Sequence, residues 1–226
     1  MLNPPVTSPN QPFKAVIFDM DGVIVNSEPL HETAFLETFG ELGYAGNHGV
    51  HFPDFLGRSD RAVWKFFMER HRPTQSVEEL TDLKEGRLVK VIRHTEPLFP
   101  GVVELIETLA ERFPLAVASG SVHRVISEVL NLGKLGRFFK TVVSAEDVAQ
   151  GKPAPDIFLR TAKLLGVEPH ECCVIEDTTA GIQAGRSAGM TVIAITNTYP
   201  AAELTQAHHV VNDYSAIRKI LLPSPA

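Results

Sequence analysis

A strand-like apolar run spans 14–19, and similar runs recur at 115–119, 141–144, 172–176 and 191–195, with a weaker sixth near 209–211. The first run is apolar at consecutive positions, the pattern of a central parallel strand covered on both faces. From 101 onward the runs alternate with stretches of helical spacing at 101–112, 122–132, 155–166 and 179–189. Strand–helix alternation with short links predicts an α/β fold built on a doubly wound parallel sheet.

The alternation breaks once. Roughly 90 residues with no strand pattern separate Asp21 from the second run, and their apolar spacing is helical. Segment 29–42 carries Leu30, Ala34, Phe35, Thr38 and Leu42 on one side, with Gly43 as a stop signal. Segment 60–71 follows the capping residues Ser59-Asp60 and places Val63, Phe66 and Phe67 together. Segment 76–93 opens on Ser76-Val77-Glu78-Glu79, a capping-box pattern. The link 95–101, with two prolines and a glycine, suits a hinge. A helical second domain is therefore expected at 27–96, inserted into a core formed by 13–26 and 97–226.

At 226 residues the chain can hold one full core and a smaller second domain. An apolar fraction of 44% and a charged fraction of 21% describe an ordinary soluble globular protein. The net charge of -6 disfavours nucleic acid or an anionic membrane as a partner. Cys172 and Cys173 are adjacent within an apolar run, which reads as a buried strand in a reducing compartment. Residues 1–12 hold four prolines and no charged side chain, so they are expected to form a disordered tail rather than a signal peptide. No apolar stretch is long enough to span a bilayer. A cytoplasmic monomer is expected.

Four strand ends carry polar residues. The first offers Asp19 and Asp21 followed by Gly22. Two acids this close repel unless a cation or a shared proton relieves them, so the pair suggests a divalent-metal site or an acid/base pair. The second end carries Ser119-Gly120-Ser121, and the loop after the third run carries Gly151-Lys152-Pro153-Ala154-Pro155-Asp156. The fourth carries Glu176-Asp177, followed by Thr178-Thr179-Ala180-Gly181. A parallel sheet gathers such ends at one edge, where ligands bind.

With all four motifs in order from 14 to about 212, the sequence resembles the haloacid dehalogenase superfamily. It is most similar to the branch with a small helical cap that holds β-phosphoglucomutase and the sugar-phosphate phosphatases. The resemblance implies a Rossmann-like core, an inserted cap and phosphoryl transfer from a small phosphorylated metabolite. A carboxylate can serve as nucleophile in such transfers, splitting one hard displacement into two easier ones. Asp19, the first acid after the strand, suits that role, as the resemblance also implies. Asp21 would protonate the leaving alkoxide and later take a proton from water. Mg²⁺ is the expected cofactor, because it takes one or two carboxylates with waters and phosphate oxygens. Asp19, Asp177 and a backbone carbonyl fit that count, and the resemblance places the carbonyl on Asp21. Glu176 has two readings, holding a metal-bound water or capping the following helix. Ser119 and the Gly120 amide are candidates for binding phosphate, and the Lys152 ammonium suits a phosphate or the Asp19 carboxylate.

His48 and His51 lie among glycines without acidic or cysteine partners and read as loop residues. His31 falls twelve positions after Asp19, matching a family histidine that interacts with the acid/base aspartate. In the mutase branch a cap loop reads Lys-Gly-x-x-Arg. Here the corresponding stretch is Leu56-Gly57-Arg58-Ser59-Asp60, with an apolar residue for the lysine and an acid for the arginine. Arg58 and Ser59 are the cap residues expected to meet substrate. The leading expectation is a Mg²⁺-dependent phosphatase for a sugar or polyol phosphate. The alternatives are a hexose-phosphate mutase and a non-catalytic phosphate-binding protein.

Overall fold

A computed structural model describes residues 13–55 and 60–223. The proposed tail at 1–12 and the candidate residues Arg58 and Ser59 lie outside the described residues. The chain divides into two compact units, one formed by Ser27–Glu96 and the other by the segments up to Asn26 and from Pro97 onward.

The larger unit is built on six strands: β1 (Ala15–Phe18), β2 (Leu115–Ser119), β3 (Phe139–Ser144), β4 (Cys172–Glu176), β5 (Thr191–Ile195) and β6 (His209–Val211). They form one parallel sheet in the order β3-β2-β1-β4-β5-β6. The chain order reverses between β1 and β4, and in doubly wound sheets ligands bind at such a switch point. Every residue of β1, β2 and β4 is buried, which explains their unbroken apolar runs. Ala15, Ile17, Ala116, Ala118, Cys172, Val174 and Val192 form one core with residues of two helices described below, while the alternate set, including Val16, Phe18, Val117 and Ile175, is equally buried. Cys172 and Cys173 are both buried free thiols, and Cys172 belongs to this core.

Among the described residues, eight α-helices accompany the strands: α1 (Glu28–Glu41), α2 (Asp60–His71), α3 (Val77–Thr95), α4 (Val102–Ala110), α5 (His123–Asn131), α6 (Asp156–Leu165), α7 (Thr179–Ser187) and α8 (Tyr214–Leu221). Ile157, Phe158 and Ala162 of α6 and Ile182 and Ala184 of α7 complete the core described above.

The Ser27–Glu96 unit contains α1–α3 around its own cluster of Phe35, Phe39, Val50, Val63, Trp64, Phe67 and Leu80. Ser76 and Glu79 close the reciprocal capping box at the start of α3. Two details differ from the sequence expectation. Phe66 is 38% exposed and meets Phe55 edge-on, so it is not core; the buried aromatic of α2 is Trp64, one helical step from Phe67. His48 stacks on Phe39, and His51 is an exposed partner of Asp54.

Candidate active site

Asp19 is the residue just past β1. Its N–H donates to the Ile175 carbonyl of β4 at 2.9 Å. The chain then winds tightly, with the amides of Val23, Ile24 and Val25 all donating to the Met20 carbonyl at 2.7–3.2 Å. Gly22 has φ +76°, and a Cβ there would fall 1.8 Å from Asp177 Oδ2 and 2.8 Å from Thr198 Oγ1. Only glycine meets both the conformation and the close approach.

Glu176 and Asp177, at the end of β4, are buried beside Asp19. Carboxylate oxygens of the three lie within 4.8 Å of one another. Lys152 Nζ donates to Asp19 Oδ1 at 2.6 Å and to Glu176 Oε1 at 2.7 Å. The other Glu176 oxygen accepts from the Asp177 and Thr178 amides and from Thr178 Oγ1 at 2.8–2.9 Å. Helix capping falls to Thr178, whose hydroxyl accepts from the Gly181 amide; Glu176 instead binds Lys152 and the loop before the helix. A Cβ on Gly181 would overlap Glu176 Oε1 at 1.6 Å, so this glycine makes room for the acid.

The ends of β2 and β3 hold Asp21. Ser119 Oγ donates to Asp21 Oδ2 at 3.2 Å and accepts from the Ser121 amide at 3.0 Å. Ser121 Oγ donates to the same Asp21 oxygen at 2.8 Å, and Ser144 Oγ donates to the Ser121 carbonyl at 2.7 Å. Gly120, between the two serines, is exposed.

The electrostatics follow from burial. Desolvation pushes the Asp19 carboxyl up to about 7; Lys152 opposes this, while Glu176 and Asp21 add to it. Desolvation, then the charges of Glu176 and Asp19, push Asp177 up to about 9 against a hydrogen bond from Thr198. Burial alone would lower the Lys152 ammonium, but Asp19 and Glu176 hold it above its ordinary range. With all three ionised, the buried carboxylates against one ammonium would carry two negative charges, which one divalent cation would balance; without a cation, protons are held instead. Asp177 Oδ1 is also a buried oxygen without a hydrogen-bond partner. A hard, oxygen-seeking cation fits this donor set.

The sheet thus gathers Asp19, Asp21, Ser119, Lys152, Glu176 and Asp177 at one edge. His31 lies on α1 of the other unit, where its Nδ1 is 2.6 Å from Lys84 Nζ. Lys84 also donates to Asp60 Oδ2 at 2.6 Å. Sequence reasoning passed over Ser121 and Thr198 as site residues. Thr198 was recoverable, since it follows the apolar run of β5 just as the other site residues follow theirs.

A parallel sheet with buried carboxylates and one lysine at its switch point is the arrangement of an α/β enzyme. The chain belongs to the haloacid dehalogenase-like hydrolases: the model of that family matches residues 13–189. It is 33% identical over 183 residues to hexitol phosphatase B of Escherichia coli K12, covering 80% of this chain and 82% of that one. It is 32% identical over 190 residues to fructose-1-phosphate phosphatase YqaB of the same organism, covering 81% and 96%. Among solved structures, β-phosphoglucomutase from Clostridium difficile superimposes with a TM-score of 0.74 at 26% identity, covering 91% of this chain and 93% of that one.

Proposed function

We propose that this protein is a Mg²⁺-dependent phosphoric monoester hydrolase that acts on a small sugar or polyol phosphate through a phosphoryl group carried on Asp19. The observation that carries the reading is the division of labour between two acids. Asp19 sits buried against Lys152 and the acids of β4, whereas Asp21 is held by the serine hydroxyls of the β2 loop. The names of the phosphatase relatives support the substrate class.

An Asp19 oxygen attacks phosphorus as the ester P–O bond breaks, and Asp21 gives its proton to the departing alkoxide. Asp21 then takes a proton from the water that attacks the aspartyl-phosphate, whose P–O bond to Asp19 breaks to release inorganic phosphate. Lys152 neutralises charge beside Asp19, and the Gly120 amide, with the Ser119 hydroxyl once it turns from Asp21, donates to the phosphoryl oxygens. Asp19, Asp177 and the Asp21 carbonyl would hold Mg²⁺, with Glu176 beside them; when bound, the cation supplies charge neutralisation at the phosphoryl group.

Likeness to a phosphoglucomutase structure favours the mutase as a second reading. Against it, Asp60 stands where the mutase branch carries its loop arginine, and its carboxylate is already paired with Lys84. The test is hydrolysis, with Mg²⁺, of a panel of sugar, polyol, nucleotide and glycolate phosphates. Release of phosphate from a hexitol or hexose phosphate supports the proposal. Conversion of β-glucose 1-phosphate to glucose 6-phosphate in the presence of the bisphosphate would replace it with the mutase.

A further inference from the structure

The turn that follows Asp21 is held by side chains from far along the sequence. Asn197, in the loop after β5, donates through Nδ2 to the Gly22 carbonyl at 2.8 Å and to the Tyr214 hydroxyl at 3.0 Å. The Tyr214 hydroxyl in turn donates to the Val23 carbonyl at 2.8 Å. The two amide hydrogens and the phenol hydrogen are thus all used, and each points one way along the chain of bonds. Tyr214 is itself fixed, because Asp213 caps α8 by accepting from the Ala216 amide at 2.8 Å. Neighbouring Thr198 bonds Asp177, so the same loop touches both sides of the acidic cluster.

We propose that Asn197 and Tyr214 are positioning residues for the acid/base step: by fixing the Gly22 and Val23 carbonyls they hold the turn that aims the Asp21 carboxylate. Ser119 and Ser121 hold the Asp21 carboxylate, and the turn restrains its backbone, which also bridges Val25. The inference rests on the proposed hydrolase reading. Neither residue touches the phosphoryl group, so loss of the clamp acts through Asp21: on its proton transfer to the leaving group in the first step, and on its role as base in the second.

Tyr214→Phe removes one donor and one acceptor, and Asn197→Asp keeps the shape but sets an acceptor against the Gly22 carbonyl. Each variant is compared with wild type on an alkyl sugar phosphate and on 4-nitrophenyl phosphate, whose leaving group needs little proton assistance. Amide hydrogen exchange over Gly22–Val25 is measured in the same proteins. The readout is the single-turnover rate of phosphoryl transfer to Asp19, which precedes the base step. The expected result is a loss of about tenfold in that rate on the alkyl ester, a modest part of what general acid catalysis supplies. The aryl ester should change less than twofold, KM should hold, and exchange in the turn should be faster. The double variant should lose no more than the worse single one. Equal losses on both esters, or unchanged exchange in the turn, would overturn the clamp. Failure of the hydrolase reading would appear separately, as absent turnover in the wild-type protein, and exchange would then decide whether the turn is held at all.

Discussion

Asp19 and Asp177 share an environment that penalises their charged forms, and it makes two predictions. Asp19→Asn should abolish turnover, because an amide cannot accept the phosphoryl group; kcat above a tenth of wild type, a barrier loss below about 1.4 kcal/mol, would remove Asp19 as nucleophile. The second concerns pH. Both carboxyls hold protons more tightly in the folded chain, at about 7 and about 9, than a carboxyl near 4 in the unfolded chain. Above pH 4 the native state therefore binds more protons than the unfolded one, and stability falls as pH rises toward 9. With chelator the melting temperature should drop across pH 5–9, and Mg²⁺ should flatten that drop while releasing protons on binding. A flat metal-free profile would count against the buried-acid account. The site was legible at this scale wherever strand ends are polar: Asp19, Asp21, Ser119, Lys152, Glu176 and Asp177 all follow apolar runs. The pairing of Lys152 with Asp19 was one of two readings the sequence offered; the bond from Ser121 to Asp21 was not legible, because it depends on side-chain geometry across strands.

Among the elements, α1–α3 show where local patterning succeeds and where it stops. The capping box at Ser76 and the apolar spacing of α3 are properties of one helix, and both are readable in the sequence. The pairing of fully buried Lys84 with Asp60 and His31 joins three elements, and spacing within any one of them is silent on it. Asp60 looked like a capping residue; in the folded unit burial raises its carboxyl, but His31 and Lys84 outweigh that and hold it well below the usual range. Asp60→Ala would strand a buried ammonium and should cost about 2 kcal/mol, less than a fully buried pair because Asp60 is partly exposed. Lys84→Met with Asp60→Asn should recover much of that loss, since an apolar side chain then fills the site. Denaturant midpoints of the two variants check this, and equal losses in both would show that packing, not charge, is at stake. The C-terminal helix α8 escaped the sequence reading although Tyr214, Ile217 and Leu221 recur at helical spacing behind the capping Asp213. It follows the short, largely exposed strand β6, where the apolar signal fades.

At the scale of the whole molecule, the alternation of strands and helices fixes the fold class but not the strand order, since the order depends on which strand ends pair across the sheet. Placement of β4 beside β1 brings Glu176 and Asp177 to Asp19, across more than 150 residues of chain. The insertion is simpler, because the chain leaves and re-enters the larger unit at one place. The Asn26 amide donates to the Pro97 carbonyl at 2.9 Å, Phe99 donates to the Ile24 carbonyl at 3.2 Å, and Val25 bridges Leu98 in antiparallel fashion. Adjacent ends mean that joining 26 to 97 through a short glycine-serine link closes a loop of only a few residues, with little entropic cost. The sheet and the acidic cluster are built from residues of the larger unit. The excised core should therefore fold and retain slow hydrolysis of 4-nitrophenyl phosphate. Preference among sugar and polyol phosphates should vanish if the inserted unit supplies specificity. Circular dichroism and melting curves test the first expectation, and kcat/KM across the ester panel tests the second. An unfolded core would show that the insert contributes to the stability of the sheet. An unchanged substrate ranking would place specificity in the strand-end loops instead.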